Sequence, residues 1–333
     1  MESYMIFEKQ IVGAFKSKMY ARADDEGYAY YFSAKDFPGL GKTPYQFKSS
    51  LGHTLSGYLY SYDAPISGRL VVFDHGFGAG HESYMKEIEI LCRHGYLVLA
   101  YDHTGCMESG GEGCRGMAQS LHDLDDCIKA VKADPRFEGV DISVIGHSWG
   151  GFSTLNIAAL HPDISHIAVL SGFVSVERLV AANFSGLLRG YRPAVMALER
   201  ETNPDYVDFD ATKTLSKFNG KAVLIYSEND KLVNKDLHFN PLYAALREKE
   251  NIKLILEINK GHNPNYTEAA VELLGKYGAD LAKIKKSGGL KTEEEKAKFR
   301  SSYDWDAITE QDERVWQDIF DCLDAPTEGA AKI

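Results

Sequence analysis

Short, mostly unbroken apolar runs constrain the fold of this chain more than any other feature, at residues 70–73, 96–100, 142–145, 167–170, 222–226 and 252–258. They are rich in Val, Ile and Leu, and most lack polar alternation, the pattern of strands buried on both faces of a parallel sheet. Helical stretches at 82–93, 117–133, 150–160 and 239–249 fall between them. Upstream, residues 45–49 and 54–60 alternate in polarity, and Gly52-His53 between them reads as a hairpin turn. The pattern predicts an α/β fold: a mostly parallel, doubly wound sheet entered through an antiparallel N-terminal hairpin.

Two stretches interrupt this rhythm. Residues 172–219 separate two strands by more chain than a structureless loop usually spans, and they hold Phe173, Phe184, Leu187, Leu188, Tyr191 and Met196. A helical insertion is expected there. A second excursion runs from His262 to about Tyr303, and its segment 291–298 reads as a solvated helix face. Residues 1–20 form an amphipathic pattern with Ile6, Ile11, Val12 and Phe15 near one face, and 309–323 form another. The expected organisation is an N-terminal helical extension over 1–40, a core over 41–171 and 220–333, and a helical cap or lid over 172–219.

A chain of 333 residues accommodates one large α/β domain or two small ones. Its formal net charge of −11 argues against a nucleic-acid partner, which calls for a basic face. The first ten residues lack a basic region followed by an apolar one, and no run approaches the roughly 18 apolar residues of a membrane span. A cytoplasmic protein with no membrane span is therefore expected. The five scattered cysteines include no C-x-x-C pair and read as free thiols. Cys106 and Cys114 share a Gly-rich loop, where a local disulfide or metal clip is the lesser expectation.

Chemistry concentrates at Gly146-His-Ser-Trp-Gly150, which follows one apolar run and opens a helical stretch. Strand, G-x-S-x-G, helix is a nucleophile elbow, which exposes the serine hydroxyl on a sharp turn. Acyl transfer from Ser148 also needs a base, an orienting carboxylate and oxyanion donors. His262, in Gly261-His-Asn-Pro264 just past the last run, is the candidate base. Residues 225–230 carry two acids past the preceding run; Asp230 is favoured, with Glu228 as the alternative. The loop 75–81 and the elbow offer the Phe77 and Trp149 N–H groups as oxyanion donors. Gly76-Phe-Gly78 is a poor dinucleotide fingerprint, because the third glycine is absent and position 81 is His.

Together with Asp102-His-Thr-Gly105 and Asp230-Lys-Leu-Val233, these stretches make the chain resemble the α/β-hydrolase superfamily, in its serine aminopeptidase, lysophospholipase and monoacylglycerol lipase-like branch. The resemblance covers roughly residues 40–280 and the final helix. It departs in one loop: the branch often continues Asp-x-x-Gly with Gly-x-Ser, whereas here Gly105-Cys-Met-Glu-Ser109 follows. The resemblance implies that 172–219 roofs an acyl pocket, with Phe173, Phe184 and Leu187 as candidate lining.

The expected function is a serine hydrolase acting on the carboxylic ester of a small acyl substrate, with no metal and no organic cofactor. An aminopeptidase or acyl-thioesterase with the same triad is the alternative. An aminopeptidase would draw on Glu199, Glu201, Asp205 or Asp208 to hold an ammonium group. A non-catalytic binding protein on the same fold is the rival of another class. Haloalkane dehalogenase and epoxide hydrolase chemistries are excluded, since both need an aspartate where Ser148 stands.

Overall fold

The computed structural model describes residues 2–78 and 80–326. Ala79 of the expected oxyanion loop, the Ile6 side chain and the end of the expected 220–333 segment lie outside the described residues. The chain begins with α1 (Glu2–Met19), followed by β1 (Gly41–Lys48) and β2 (Thr54–Ser61), the hairpin expected around Gly52. Then come β3 (Arg69–Asp74), α2 (Met85–Arg93), β4 (Leu97–Tyr101), α3 (Gln119–Ala133), β5 (Asp141–His147), α4 (Ser148–Asn156) and β6 (His166–Leu170). Residues 172–219 fold as α5 (Val176–Asn183), a 3₁₀ turn (Gly186–Tyr191), α6 (Arg192–Thr202) and α7 (Ala211–Ser216). The chain continues with β7 (Lys221–Ser227), α8 (Phe239–Leu246), β8 (Ile252–Glu257), α9 (Glu268–Lys286), α10 (Glu293–Arg300), α11 (Trp305–Ile308) and α12 (Glu313–Leu323).

All the strands join one sheet in the order β1-β2-β4-β3-β5-β6-β7-β8. The β1–β2 and β2–β4 pairs are antiparallel and the remaining neighbours parallel. The unbroken apolar runs follow from double-sided burial. Val71, Phe73, Val98, Ala100, Ile145, Leu170 and Ile225 pack under α2 and α12. Their neighbours Leu70, Val72, Leu99, Val144, Val169 and Leu224 pack on the opposite face with α3, α4, α7 and α8. With both faces covered, most positions along these strands are apolar, and buried polar ones such as Asp74 are hydrogen-bonded. Strand order reverses between β3 and β5, and in an open α/β sheet the crevice beyond the strand ends at such a reversal is where ligands bind.

The segment expected as a second excursion builds its own small core. Tyr277, Leu290, Phe299 and Ile308 are buried there, with Tyr28, Tyr303 and Trp305 packed against them. Glu293, Glu294, Glu295 and Lys298 of α10 are exposed, Lys296 and Arg300 are half-buried, and Phe299 is buried.

The N-terminal extension is stitched to the molecule more closely than its sequence suggests. Ala23 N–H donates to the Gly105 carbonyl at 2.9 Å, and Met107 N–H donates to the Ala23 carbonyl at 2.9 Å. The Arg22 guanidinium donates to the Ser109 and Gly111 carbonyls at 3.0 Å each. The loop that departs from the family pattern is therefore held in shape by the N-terminal segment. Cys106 and Cys114 lie in it as free buried thiols, their sulfurs 3.6 Å apart.

The α6 helix contributes a fully buried carboxyl, Glu199, which accepts a hydrogen bond from Met117 N–H at 2.9 Å. Burial pushes its pKa up to about 7. A carboxyl whose folded pKa is raised holds its proton longer in the folded chain than in the unfolded one. Its contribution to stability is thus lost as pH rises through the window from the usual carboxylate value to about 7. Glu199→Gln keeps the acceptor for Met117 and removes the cost of ionisation. We expect its melting temperature to exceed that of the wild type at pH 8, by a stability difference of up to ~3 kcal/mol, and to match it near pH 5. Thermal melts at the two pH values check this, and an equal offset at both would contradict it.

Candidate active site

Ser148 stands where β5 turns into α4, with a backbone φ of +56°. For a residue with a side chain that conformation is strained and persists only where the surroundings enforce it. The enforcement is backbone packing. A Cβ on Gly150 would lie 2.0 Å from the Asp74 carbonyl oxygen at the end of β3. A Cβ on Gly146 would lie 2.4 Å from the Gly150 carbonyl oxygen. Both glycines of G-x-S-x-G are thus required for the first turn of α4 to sit against the sheet.

Three sequence-designated residues come together here. His262 Nε2 lies 2.8 Å from Ser148 Oγ, and His262 Nδ1 lies 2.7 Å from Asp230 Oδ2. A carboxylate only accepts, so Nδ1 carries the proton and the Nε2 lone pair faces the hydroxyl. The Asp230 side chain is fully buried. Burial pushes its pKa up, but the His262 hydrogen bond and charge and the Val233 and Leu232 amides outweigh it and hold the carboxyl below its usual range. Those amides donate to Asp230 Oδ1 at 3.0 and 2.8 Å. Glu228, the alternative acid, is exposed and does not join the group.

The loop carrying His262 is fixed from below. Gly261 N–H donates to Asn229 Oδ1 at 2.9 Å, and Lys260 N–H donates to Ser227 Oγ at 3.1 Å. The Lys260 ammonium, 2% exposed, is ion-paired to Asp312 at 2.6 Å and donates to the Tyr266 carbonyl. Asp312 caps α12. Neither Lys260 nor Asp312 carries a motif in the sequence; a lysine directly before Gly-His was the available signal.

The Trp149 amide lies in the first turn of α4, where N–H groups lack intrahelical acceptors. Its indole N–H donates to the Met117 carbonyl at 2.8 Å. The Phe77 ring packs edge-on against the Trp149 ring at 5.1 Å, so the two expected oxyanion residues are neighbours.

The expected pocket residues separate. Phe184 lines an apolar groove of about 270 Å³ with Ile11, Phe15, Met117, Val180 and Leu188. The α1 helix supplies one wall, and Phe15 and Phe184 meet at 5.9 Å. Phe173 instead stacks face to face on Phe152 at 4.7 Å, inside the core. Leu187 is fully exposed on the 3₁₀ turn and requires correction: Leu188, one residue on, takes the groove position.

The chain is similar to several known proteins. Residues 67–207 match the family described as serine aminopeptidase, S33. A monoglyceride lipase of Rattus norvegicus is 30% identical over 145 residues, covering 42% of this chain and 46% of that protein. A 2-hydroxy-6-oxo-6-(2'-aminophenyl)hexa-2,4-dienoic acid hydrolase of Metapseudomonas resinovorans is 33% identical over 109 residues, covering 32% of this chain and 36% of that one. The matches thus span less than half the length of these relatives. Among solved structures, an esterase of Pyrococcus furiosus superposes with a TM-score of 0.56 at 17% identity, covering 80% of this chain and 97% of its own. At that identity the likeness is one of fold. Among the described residues, no helix is long and apolar enough to cross a membrane.

Gly150→Ala tests the elbow packing. The clash is with backbone, so no side-chain rotation relieves it, and we expect destabilisation of roughly 1–3 kcal/mol or more. A denaturant melt unchanged from wild type would show that α4 is free to shift.

Proposed function

Because the chain belongs to the α/β-hydrolase superfamily, we propose that it is a serine hydrolase cleaving a carboxylic ester through an acyl-enzyme on Ser148. The observation that carries this reading is the unbroken hydrogen-bonded chain from Ser148 Oγ through His262 to Asp230. In the reaction, Ser148 Oγ attacks the ester carbonyl while His262 Nε2 takes the hydroxyl proton. Asp230 holds the ring in its Nδ1–H form and balances the imidazolium charge. The Phe77 and Trp149 N–H groups receive the developing oxyanion. Collapse breaks the ester bond, and the imidazolium returns its proton to the departing alcohol. Water then attacks the acyl-serine, again giving a proton to Nε2, and the acid leaves as Ser148 is restored.

Ester is favoured over aminoacyl amide by the placement of the acidic residues that would hold a substrate ammonium. Glu199 is buried and engaged by Met117 N–H. Glu201 and Asp205 are exposed, and Asp208 pairs with Arg200 at 2.9 Å. We assign the acyl chain to the groove lined by Phe184, another lining residue of which, Met117, also accepts the Trp149 indole N–H through its carbonyl. In this reading 172–219 and α1 together form the cap.

A fluorophosphonate probe should label the wild type and not Ser148→Ala, which should lose on the order of 10⁶ in kcat. Asp230→Asn should lose about 10⁴, from the wrong histidine tautomer, while Glu228→Gln stays near wild type. Ester turnover by Ser148→Ala above a few per cent of wild type would refute the assignment. Phe184→Ala should change the preferred acyl length in a panel of esters, by about 1–3 kcal/mol between chains a methylene or two apart, with small activated esters little affected. Unchanged length preference would make the groove a packing feature.

A further inference from the structure

The residue preceding the elbow serine has no part in the triad, yet it is engaged at both ring nitrogens. His147 is buried, and its Nε2 lies 2.8 Å from the carbonyl oxygen of His262. A carbonyl only accepts, so Nε2 carries a proton. Nδ1 lies 2.8 Å from Tyr84 Oη. Burial, and then the nearby His262, push the pKa of His147 down to about 3. The ring is therefore neutral near pH 7, Nδ1 is an acceptor, and the Tyr84 hydroxyl donates to it. Tyr84 Oη in turn accepts the Gly76 N–H at 3.1 Å. Gly76 is the residue before Phe77.

The direction of every bond is thus determined: Gly76 N–H to Tyr84 Oη, Tyr84 O–H to His147 Nδ1, His147 Nε2–H to the His262 carbonyl. The chain runs through the loop after β3, the start of α2, the end of β5 and the loop after β8. These are the segments that carry a proposed oxyanion donor, the nucleophile and the base. We infer that Tyr84 and His147 are positioning residues that set the oxyanion loop and the His262 loop in register with Ser148. Asp230 grips the His262 ring and His147 grips its backbone, so the base is located from two sides. Tyr84 has its own seat, with its ring 5.2 Å from that of Phe73 on β3. The His147 ring also packs against the His262 ring, with centroids 4.8 Å apart, while the His262 ring nitrogens bond to Ser148 and Asp230 and not to His147 or Tyr84. The inference rests on the ester-hydrolase reading of this site.

The test uses the full chain and a small activated ester, with Tyr84→Phe, His147→Leu, the double variant Tyr84→Phe/His147→Leu, and His147→Gln. Misplacement of a catalytic group by about 1 Å costs roughly 10²-fold. Each single variant is expected to lower kcat by ~10- to 100-fold with KM within about threefold, and to slow fluorophosphonate labelling of Ser148 in step. The double variant should be no slower than the worse single, because both break one chain. His147→Gln, whose amide offers a donor and an acceptor, should recover much of the loss. Variants that melt earlier but keep wild-type kcat, or whose losses in log kcat simply add, would overturn the relay while leaving the hydrolase reading intact. A wild type that neither turns over esters nor reacts with the probe would overturn both. Nitrogen-15 histidine spectra of the wild type supply a readout independent of variant folding. They should show His147 protonated at Nε2 alone from pH 5 to 8, and a doubly protonated ring at pH 6 would refute these bond directions.

Discussion

The arrangement depends on one backbone contact, the first turn of α4 pressed against the end of β3. The φ of +56° at Ser148 costs about 1–3 kcal/mol in isolation. It is accompanied by close seating of α4: Gly150 faces the Asp74 carbonyl with no space for a Cβ, and the Ser153 hydroxyl of α4 donates to Asp74. Everything the site needs is measured from that point. The Trp149 amide, the serine hydroxyl and His147 are successive residues of the turn, so a shift of α4 would move all of them together.

A buried polar cluster beneath the elbow holds this contact. Asp74 accepts from the Tyr101 hydroxyl at 2.8 Å and from the Ser153 hydroxyl of α4, tying the helix to β3 and β4. His103 sits between Asp74 at 3.1 Å and Asp123 at 3.3 Å. Burial alone would strip its proton, but the two carboxylates outweigh it and raise its pKa to about 10. Asp123 also accepts from the Thr104 amide at 2.7 Å and from Gln119 at 2.8 Å. Such a buried network specifies geometry more than it adds stability, since removing one partner strands the others.

What was legible in the sequence was whatever a single local rule enforces. Double-sided burial writes itself as apolar runs, so β3 to β8 could be read to within a residue or two, whereas the less buried β1 begins four residues before the alternating segment; backbone contact writes itself as the glycines flanking Ser148. The acid could not be chosen that way. Glu228 and Asp230 both follow β7, and what separates them is a turn that aims the Leu232 and Val233 amides at one carboxyl. The groove was harder still. Phe173, Phe184 and Leu187 are chemically alike, and their fates depend on where α5 ends and how the Gly186 turn, with φ +57°, rotates the residues after it. The α1 wall, and the grip of Arg22 on the Gly-rich loop, join segments remote in sequence, and no local pattern announces them.

The ion pair between Lys260 and Asp312 gives the molecule a temporal order. During synthesis the N-terminal part of a chain is available first, and here the nucleophile turn and the oxyanion loop emerge long before Asp312 does. Until then the lysine beside His262 lacks its buried counter-ion, and burying an uncompensated ammonium is strongly unfavourable. On this argument, the loop carrying His262 would settle only once α12 supplies Asp312. Because α12 also covers one face of the sheet, the proposed base and that face would be completed together, late in the protein's own biogenesis.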